Sequence, residues 1–193
     1  MKPQRSDSMT SEREKMTSGE PYNQFDRELI SRRILCRKQL QEANNTPDNE
    51  KRNGLIQDLL AKSGPKFFVE TGIEFDYGFN IYIGDNFYAN YGLTLLDTAP
   101  ITFGKNRYIG PNCGLYTNVH PLNAKERVAD VEMAAPITIG DDAWFGGHVT
   151  IVPGVTLGNN VVVGAGSVVT KSFGDDAVLV GNPAKVLKKI DNN

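Results

Sequence analysis

The sequence predicts a mainly β fold, a parallel β-helix built of six-residue repeats, and three observations carry that reading. Apolar residues recur every six positions as Tyr77, Ile83, Ala89 and Leu95, then after a two-residue slip as Phe103, Ile109 and Leu115. The same phase returns as Ile139, Phe145, Ile151, Leu157, Val163 and Val169 after an interruption across residues 118–136. Glycine follows the periodic residue directly at positions 78, 84, 104, 110, 140, 146, 158 and 164. Fixed-period self-similarity dictates architecture, and six is neither the helical nor the simple strand period. Short strands joined by tight turns wrap the chain into a prism, with one apolar side chain per repeat on the axis. Glycine and asparagine suit the turns. Each coil pairs with those above and below, so stacking buries the core and no single repeat is stable alone. A β-sandwich with coincidental glycine spacing is the competing architecture, and the phase match over fifteen or so steps speaks against it.

Ahead of the repeats the composition differs. Residues 1–14 read as a polar, disordered extension and residues 15–66 as a helical cap. Leu29, Cys36, Leu40 and Ala43 fall on one face of a first helix. Thr46-Pro47 reads as the start of a second, with Leu55, Ile56, Leu59 and Leu60 as its apolar face and Gly64-Pro65 as its end. The β-helix is expected over 67–186, with an excursion loop near 118–136, and residues 187–193 form a C-terminal tail.

Bulk properties exclude several function classes. Across 193 residues the net charge is −2, so nothing argues for broad attraction to nucleic acid or anionic membrane. No apolar run approaches a bilayer-spanning length, and the first residues carry no apolar stretch that could act as a signal peptide. Cys36 and Cys113 lie in unlike contexts and suggest no disulfide framework. A cytoplasmic location is the expectation.

Segments of the chain resemble one family. KMTSGEPYN (Lys15 to Asn23), FDYGFNIYIGDNFYANYGLTLLD (Phe75 to Asp97), YTNVHPL (Tyr116 to Leu122) and GNPAKVLKKI (Gly181 to Ile190) are similar to the maltose and galactoside O-acetyltransferases. These are hexapeptide-repeat acyltransferases, and the resemblance covers roughly residues 9–190. It implies a left-handed β-helix, acetyl-CoA as donor, a sugar hydroxyl as acceptor, and a homotrimer with active sites between chains. Neither nucleic acid nor membrane is an expected partner.

Acetyl transfer from a thioester to a hydroxyl needs a base, donors for the oxyanion, and both substrates held in attack geometry. The chain has two histidines. His120 lies where the repeat breaks, in a loop on a rigid scaffold, and histidine is the side-chain type suited to accept a hydroxyl proton near neutral pH. The resemblance assigns it the family's catalytic position. His148 sits inside the regular repeat and reads as structural, with a supporting role near the site as the alternative. For the acceptor, the resemblance points to Asp76, Tyr88, Asn90 and Asp97, with Thr98 as the alternative register for the last. A relative's sugar-binding carboxylate in the cap aligns nearer Gln24 than Asp26. For CoA it points to Trp144, Gly147, Ala165, Thr170, Lys171, Lys185 and Lys188, with the Gly147 N–H as an oxyanion donor and the lysines as point charges for phosphate. It implies direct transfer with no covalent acetyl-enzyme, and no metal is expected. Three competing functions share the fold. A γ-class carbonic anhydrase needs three zinc-binding histidines and is excluded by two. An antibiotic O-acetyltransferase is opposed by the maltose-type cap. A non-catalytic scaffold is opposed by the intact His120, Asn90 and GNPAKV segment.

Overall fold

The computed structural model describes residues 10–129 and 131–192; most of the expected extension lies outside them. Three parallel sheets run the length of a prism. The first face stacks Phe67–Val69, Phe87–Ala89, Arg107–Ile109, Trp144–Phe145, Val161–Val163 and Ala177–Gly181. The second stacks Glu74–Phe75, Thr94–Leu96, Gly114–Tyr116, Thr150–Ile151 and Val168–Val169. The third stacks Ile81–Ile83, Ile101–Phe103, Ile137–Ile139 and Thr156–Leu157. Pairing is parallel throughout these coils. Coil length shortens along the stack: Tyr88 sits beside Tyr108 twenty residues on, Trp144 beside Val162 eighteen on, and Val162 beside Val178 sixteen on. The two-residue slip in the sequence is the signature of the longer early coils.

The predicted axial residues from Ile83 to Val169 are all buried in one continuous core. Tyr77 is a correction. Phe75, opposite Leu95, takes the axial place, and Tyr77 turns outward to pack with Met16, Tyr22 and Leu29 of the cap.

Glycine takes the expected turn role at Gly72, Gly78, Gly92, Gly154 and Gly166, all at positive φ, and has a second role elsewhere. A Cβ on Gly84 would lie 2.2 Å from the Gly104 carbonyl oxygen, and one on Gly140 2.4 Å from that of Gly158. These glycines admit the neighbouring coil's backbone. At the corner between the third and first faces the left-handed conformation falls to Asn86, Asn106, Asp142, Asn160 and Asp176, all between φ 53 and 61, as short polar side chains tolerate best. Their side chains join in a ladder, Asn86 Nδ2 donating to Asn106 Oδ1 at 2.9 Å and Asn106 Nδ2 to Asp142 Oδ1 at 2.7 Å.

Three helices precede the coils. α1 (Glu12–Ser18) begins inside the segment expected to be unstructured, because Ser11 and Glu14 form a reciprocal capping box. α2 (Arg27–Asn44) buries the four residues expected, Leu29, Cys36, Leu40 and Ala43, and Asp26 caps it. α3 (Asn49–Gln57) starts after Asp48, whose carboxylate accepts from Lys51 N–H at 2.7 Å. Thr46 instead closes α2, its hydroxyl donating to Glu42 O at 2.8 Å, and α3 ends well short of Gly64-Pro65. The expected tail is a strand: Ala184–Lys189 pairs antiparallel with Ala177–Gly181 and closes the stack.

The interruption is a hairpin. Asn118–Val119 pairs antiparallel with Met133–Ala134, and a short helix α4 (Ala124–Val128) sits at its tip.

Replacing Gly84 by Ala is expected to destabilise the fold by about 1–3 kcal/mol through overpacking. Gly54, in α3 with open space around its Cβ position, is the control: Gly54→Ala is expected to stabilise by about 0.5–1 kcal/mol. Urea unfolding midpoints of the two variants check both signs.

Candidate active site

The site residues expected from the sequence fall on two different corners of the prism. Asp76, Asp97 and His120 follow second-face strands, at the corner leading to the third face. Asn90, Gly147 and Ala165 lie at the corner between the first and second faces, with Tyr88 and Trp144 pointing outward from the first. A whole sheet face separates the groups within one chain.

At the second-to-third corner the cap and the coils enclose a cleft of about 450 Å³, lined among others by Tyr22, Gln24, Arg33, Asp76, Thr98 and Glu132. Gln24 therefore faces the cleft while Asp26 serves as a helix cap. Asp76 is half-buried, and burial pushes its carboxyl pKa up against the opposing pull of Arg33 and Arg37. Arg33 is anchored by its Nη2 donating to Gln24 O at 2.7 Å and its Nη1 to the Tyr77 hydroxyl.

Asp97 belongs beneath this cleft rather than in it. Its side chain is fully buried, and its oxygens accept the N–H groups of Asp76 at 3.0 Å, Tyr77 at 2.8 Å and Gly78 at 2.7 Å. Asn80 completes the support, donating to the Asp97 and Thr98 carbonyls at 2.9 Å. Asp97 thus fixes the turn that carries Asp76, and Thr98 is the residue that reaches the cleft wall. Burial pushes the Asp97 carboxyl up to about 7 despite the three N–H donors.

His120 is exposed and immediately follows the outgoing hairpin strand. Val119 pairs with Met133 and Asn118 with Ala134, so His120 is one residue beyond one strand and Glu132 one residue before the other. Glu132 forms a β-bridge with Tyr22 of the cap, and both residues line the cleft.

The donor-side residues have open surroundings. Trp144 is 56% exposed and aligns with Tyr108, itself 51% exposed, and with Val162. Tyr88 stacks on Phe68 with ring centroids 5.8 Å apart. Asn90 Oδ1 accepts its neighbour's N–H, Tyr91, at 2.8 Å. Among the described residues the Gly147 and Ala165 amides donate to no backbone carbonyl, whereas Gly146, His148, Gly164 and Gly166 all do. His148 holds a left-handed corner at φ 59 and donates its N–H to Pro111 O at 2.8 Å, a backbone role. Thr170 and Lys171 are exposed just beyond the last second-face strand, and Lys185 and Lys188 are exposed on the closing strand. Both cysteines are buried, and burial pushes the Cys36 thiol up to about 11.

Two family descriptions match the chain. Residues 15–64 match the maltose acetyltransferase hexapeptide capping motif, and residues 136–171 match the hexapeptide repeat of succinyl-transferase. A Dictyostelium discoideum protein is 48% identical over 95% of this chain and 97% of its own length. A maltose O-acetyltransferase from Clostridium difficile superposes with a TM-score of 0.91 at 43% identity, covering 94% of this chain and 98% of that one. A galactoside acetyltransferase solved in complex with coenzyme A superposes with a TM-score of 0.90 at 38% identity, over 94% of this chain and 92% of that one. The chain belongs to the maltose and galactoside O-acetyltransferase family. Membership accounts for the cap and the coils together, since the capping-motif match spans all three N-terminal helices but the start of α1. The residues missed in the sequence, Tyr22, Arg33 and Glu132, join the family-expected Gln24 and Asp76 only because α2 and the hairpin meet at one corner. No local pattern marks them.

Because the folded Asp97 carboxyl titrates above its ordinary value of 3.8, the folded state binds the extra proton between pH 4 and 7. Its contribution to stability is complete below that window and is lost as pH rises through 7. The urea midpoint is expected to fall from pH 5 to pH 8, by no more than about 1.4 kcal/mol per pH unit from this one proton. Asp97→Asn is expected to flatten that part of the slope.

Proposed function

We propose that this protein is an acetyl-CoA-dependent O-acetyltransferase that acylates a sugar hydroxyl of maltose, glucose or galactoside type by direct transfer. The observation that carries the reading is the hairpin: one of its strands leads directly into His120, and the other is preceded by Glu132, which lines a polar cleft of about 450 Å³ together with Tyr22 and Asp76. The relatives' maltose and galactoside O-acetyltransferase activities, and the coenzyme A complex of one of them, support the choice of donor and acceptor class.

Acetyl-CoA supplies an activated acyl group. His120 takes the proton from the acceptor hydroxyl as its oxygen bonds to the acyl carbon. The negative charge that develops on the acyl oxygen meets the Gly147 N–H, whose lack of a backbone partner leaves it free for that role. As the carbon–sulfur bond breaks, the protonated His120 returns its proton to the departing thiolate, and charge and atoms balance. Asp76 and Asn90 hold acceptor hydroxyls, an acceptor set to which Tyr88 adds an aromatic wall. Trp144, Ala165 and Thr170 line the donor path, and Lys171, Lys185 and Lys188 meet the phosphates. The buried thiols of Cys36 and Cys113 favour transfer without a covalent acetyl-enzyme.

His120 and Gly147 stand on different corners of one chain. A homotrimer closes the site by setting the hairpin corner of one chain against the Gly147 corner of the next. The exposed Tyr108 and Trp144 on that side are the apolar surface such packing covers.

The test is a panel of sugars with acetyl-CoA, following free CoA release, run beside His120→Ala. Wild type is expected to turn over at least one sugar. The variant is expected to lose about 10²–10⁴ in kcat, with stability within about 0.5 kcal/mol of wild type because the side chain is exposed. Near wild-type turnover by His120→Ala would remove it as the base. Mass spectrometry of a single turnover is expected to find no acetylated enzyme.

A further inference from the structure

The hairpin that carries His120 is weakly held by its own pairing. Its two strands share two residue pairs, Val119–Met133 and Asn118–Ala134, and a two-stranded ribbon of that length has no independent stability. Its tip is open to solvent, with Leu122 98% and Val128 81% exposed. Ala135 N–H, donating to Thr117 O at 2.8 Å, continues the same antiparallel register at the base of the hairpin, and Ile137 N–H, donating to Pro100 O at 2.9 Å, marks the return to the coils.

The returning strand also meets the cap, and three independent features mark the contact. Tyr22 forms its β-bridge with Glu132, and both side chains are more than nine-tenths buried. The Tyr22 hydroxyl faces the Glu132 carboxylate and the Thr98 hydroxyl. Gly19 ends α1 at φ 83, and a Cβ there would stand 2.7 Å from the Ala134 carbonyl oxygen. The end of α1 is therefore seated directly on the returning strand, with no room for a larger residue.

We propose that the cap positions the catalytic histidine: Gly19 and Tyr22 clamp the returning strand Met133–Ala134, and through Glu132 fix the hairpin that presents His120 to the cleft. Gly19 and Tyr22 are positioning residues in this scheme, acting through the strand between them and His120. The inference rests on the reading of His120 as base. It gives the cap a purpose beyond covering the end of the coils, since releasing the clamp leaves the core stack intact but lets the base drift. Displacement of a catalytic group by about 1 Å can cost on the order of 100-fold in rate.

Two variants test it. Tyr22→Phe keeps the buried ring against Met16, Leu29 and Tyr77 and removes only the hydroxyl. Gly19→Ala lies outside the cleft lining and acts where the end of α1 is seated on the strand. Each is expected to lower kcat about 10- to 100-fold with the KM for acetyl-CoA unchanged. Hydrogen exchange is expected to speed up at the amides of 117–119 and 133–135 while the coil amides stay protected. The His120 imidazole ¹⁵N resonances are expected to shift or broaden in both variants. Wild-type kcat together with unchanged His120 resonances in Tyr22→Phe would overturn the proposal. A rise in acceptor KM at unchanged kcat would also overturn it, making Tyr22 an acceptor contact instead. Should Gly19→Ala not fold, Tyr22→Phe decides alone. The imidazole resonances and exchange rates need no turnover, so a failure of the clamp is distinguishable from a failure of His120 as base, which only His120→Ala reports.

Discussion

The spacing between stacked coils is the constraint on which the rest of this molecule depends. Backbone hydrogen bonds between parallel strands fix how close one coil lies to the next. On the third face, at the residue after the axial side chain, the surroundings come so near that a Cβ on Gly84, Gly104 or Gly140 would fall within 2.2–2.4 Å of another heavy atom. Glycine there is a steric requirement of stacking. With the close approach assigned to one position, the left-handed conformation at the corner between the third and first faces falls to Asn and Asp. Their side chains then bond from coil to coil and carry the register up the stack. Core, register and corner chemistry thus follow from one distance.

That distance also explains why the site lies outside the regular coils. A prism whose faces are flat sheets has no concavity of its own, and every side chain points either to the axis or straight out. A cleft arises only where something else is packed against a corner. Here α2, the segment after α1 and the hairpin converge at the second-to-third corner. The turn they pack on is held from beneath by the buried Asp97. The donor-side groups, on another corner, remain convex and exposed, which is why a neighbouring chain is a natural complement.

Much of this was legible in the sequence, for a physical reason. Each repeat obeys the same local constraint, so the period from Ile83 to Val169 survives in the residues themselves. The α2 face Leu29, Cys36, Leu40 and Ala43 is likewise a local pattern and falls where expected. Failures came where long-range contacts decide. Tyr77 keeps the six-residue phase yet turns to the cap, because Met16, Tyr22 and Leu29 offer it an apolar partner from a distant segment. Asp97 looks like an exposed ligand in sequence, but three N–H groups from a coil twenty residues earlier enclose it. Glu132 has no signal at all, since its neighbours Tyr22 and Thr98 come from the cap and from another coil. The start of α3 shows the same limit on a smaller scale. Thr46-Pro47 and Asp48 both suit a cap, and α2's last turn decides by claiming the Thr46 hydroxyl.

The two histidines, with His120 in the proposed role of base, occupy contrasting positions on this scaffold. His148 lies within a coil, at a corner whose equivalents in adjacent coils are Asn112 and Gly166, all at positive φ. The coil uses it for its backbone, and its N–H is committed to Pro111. Its place is set by the stack and cannot be adjusted without disturbing the coils on either side. His120 lies one residue beyond a strand that has left the stack, so its approach to the cleft can be tuned without altering any axial contact. The same detachment deprives it of the rigidity that the coils give His148. A base must be held within a fraction of an ångström, so an excursion freed from the stack needs a second anchor. In this chain the cap stands where such an anchor must be.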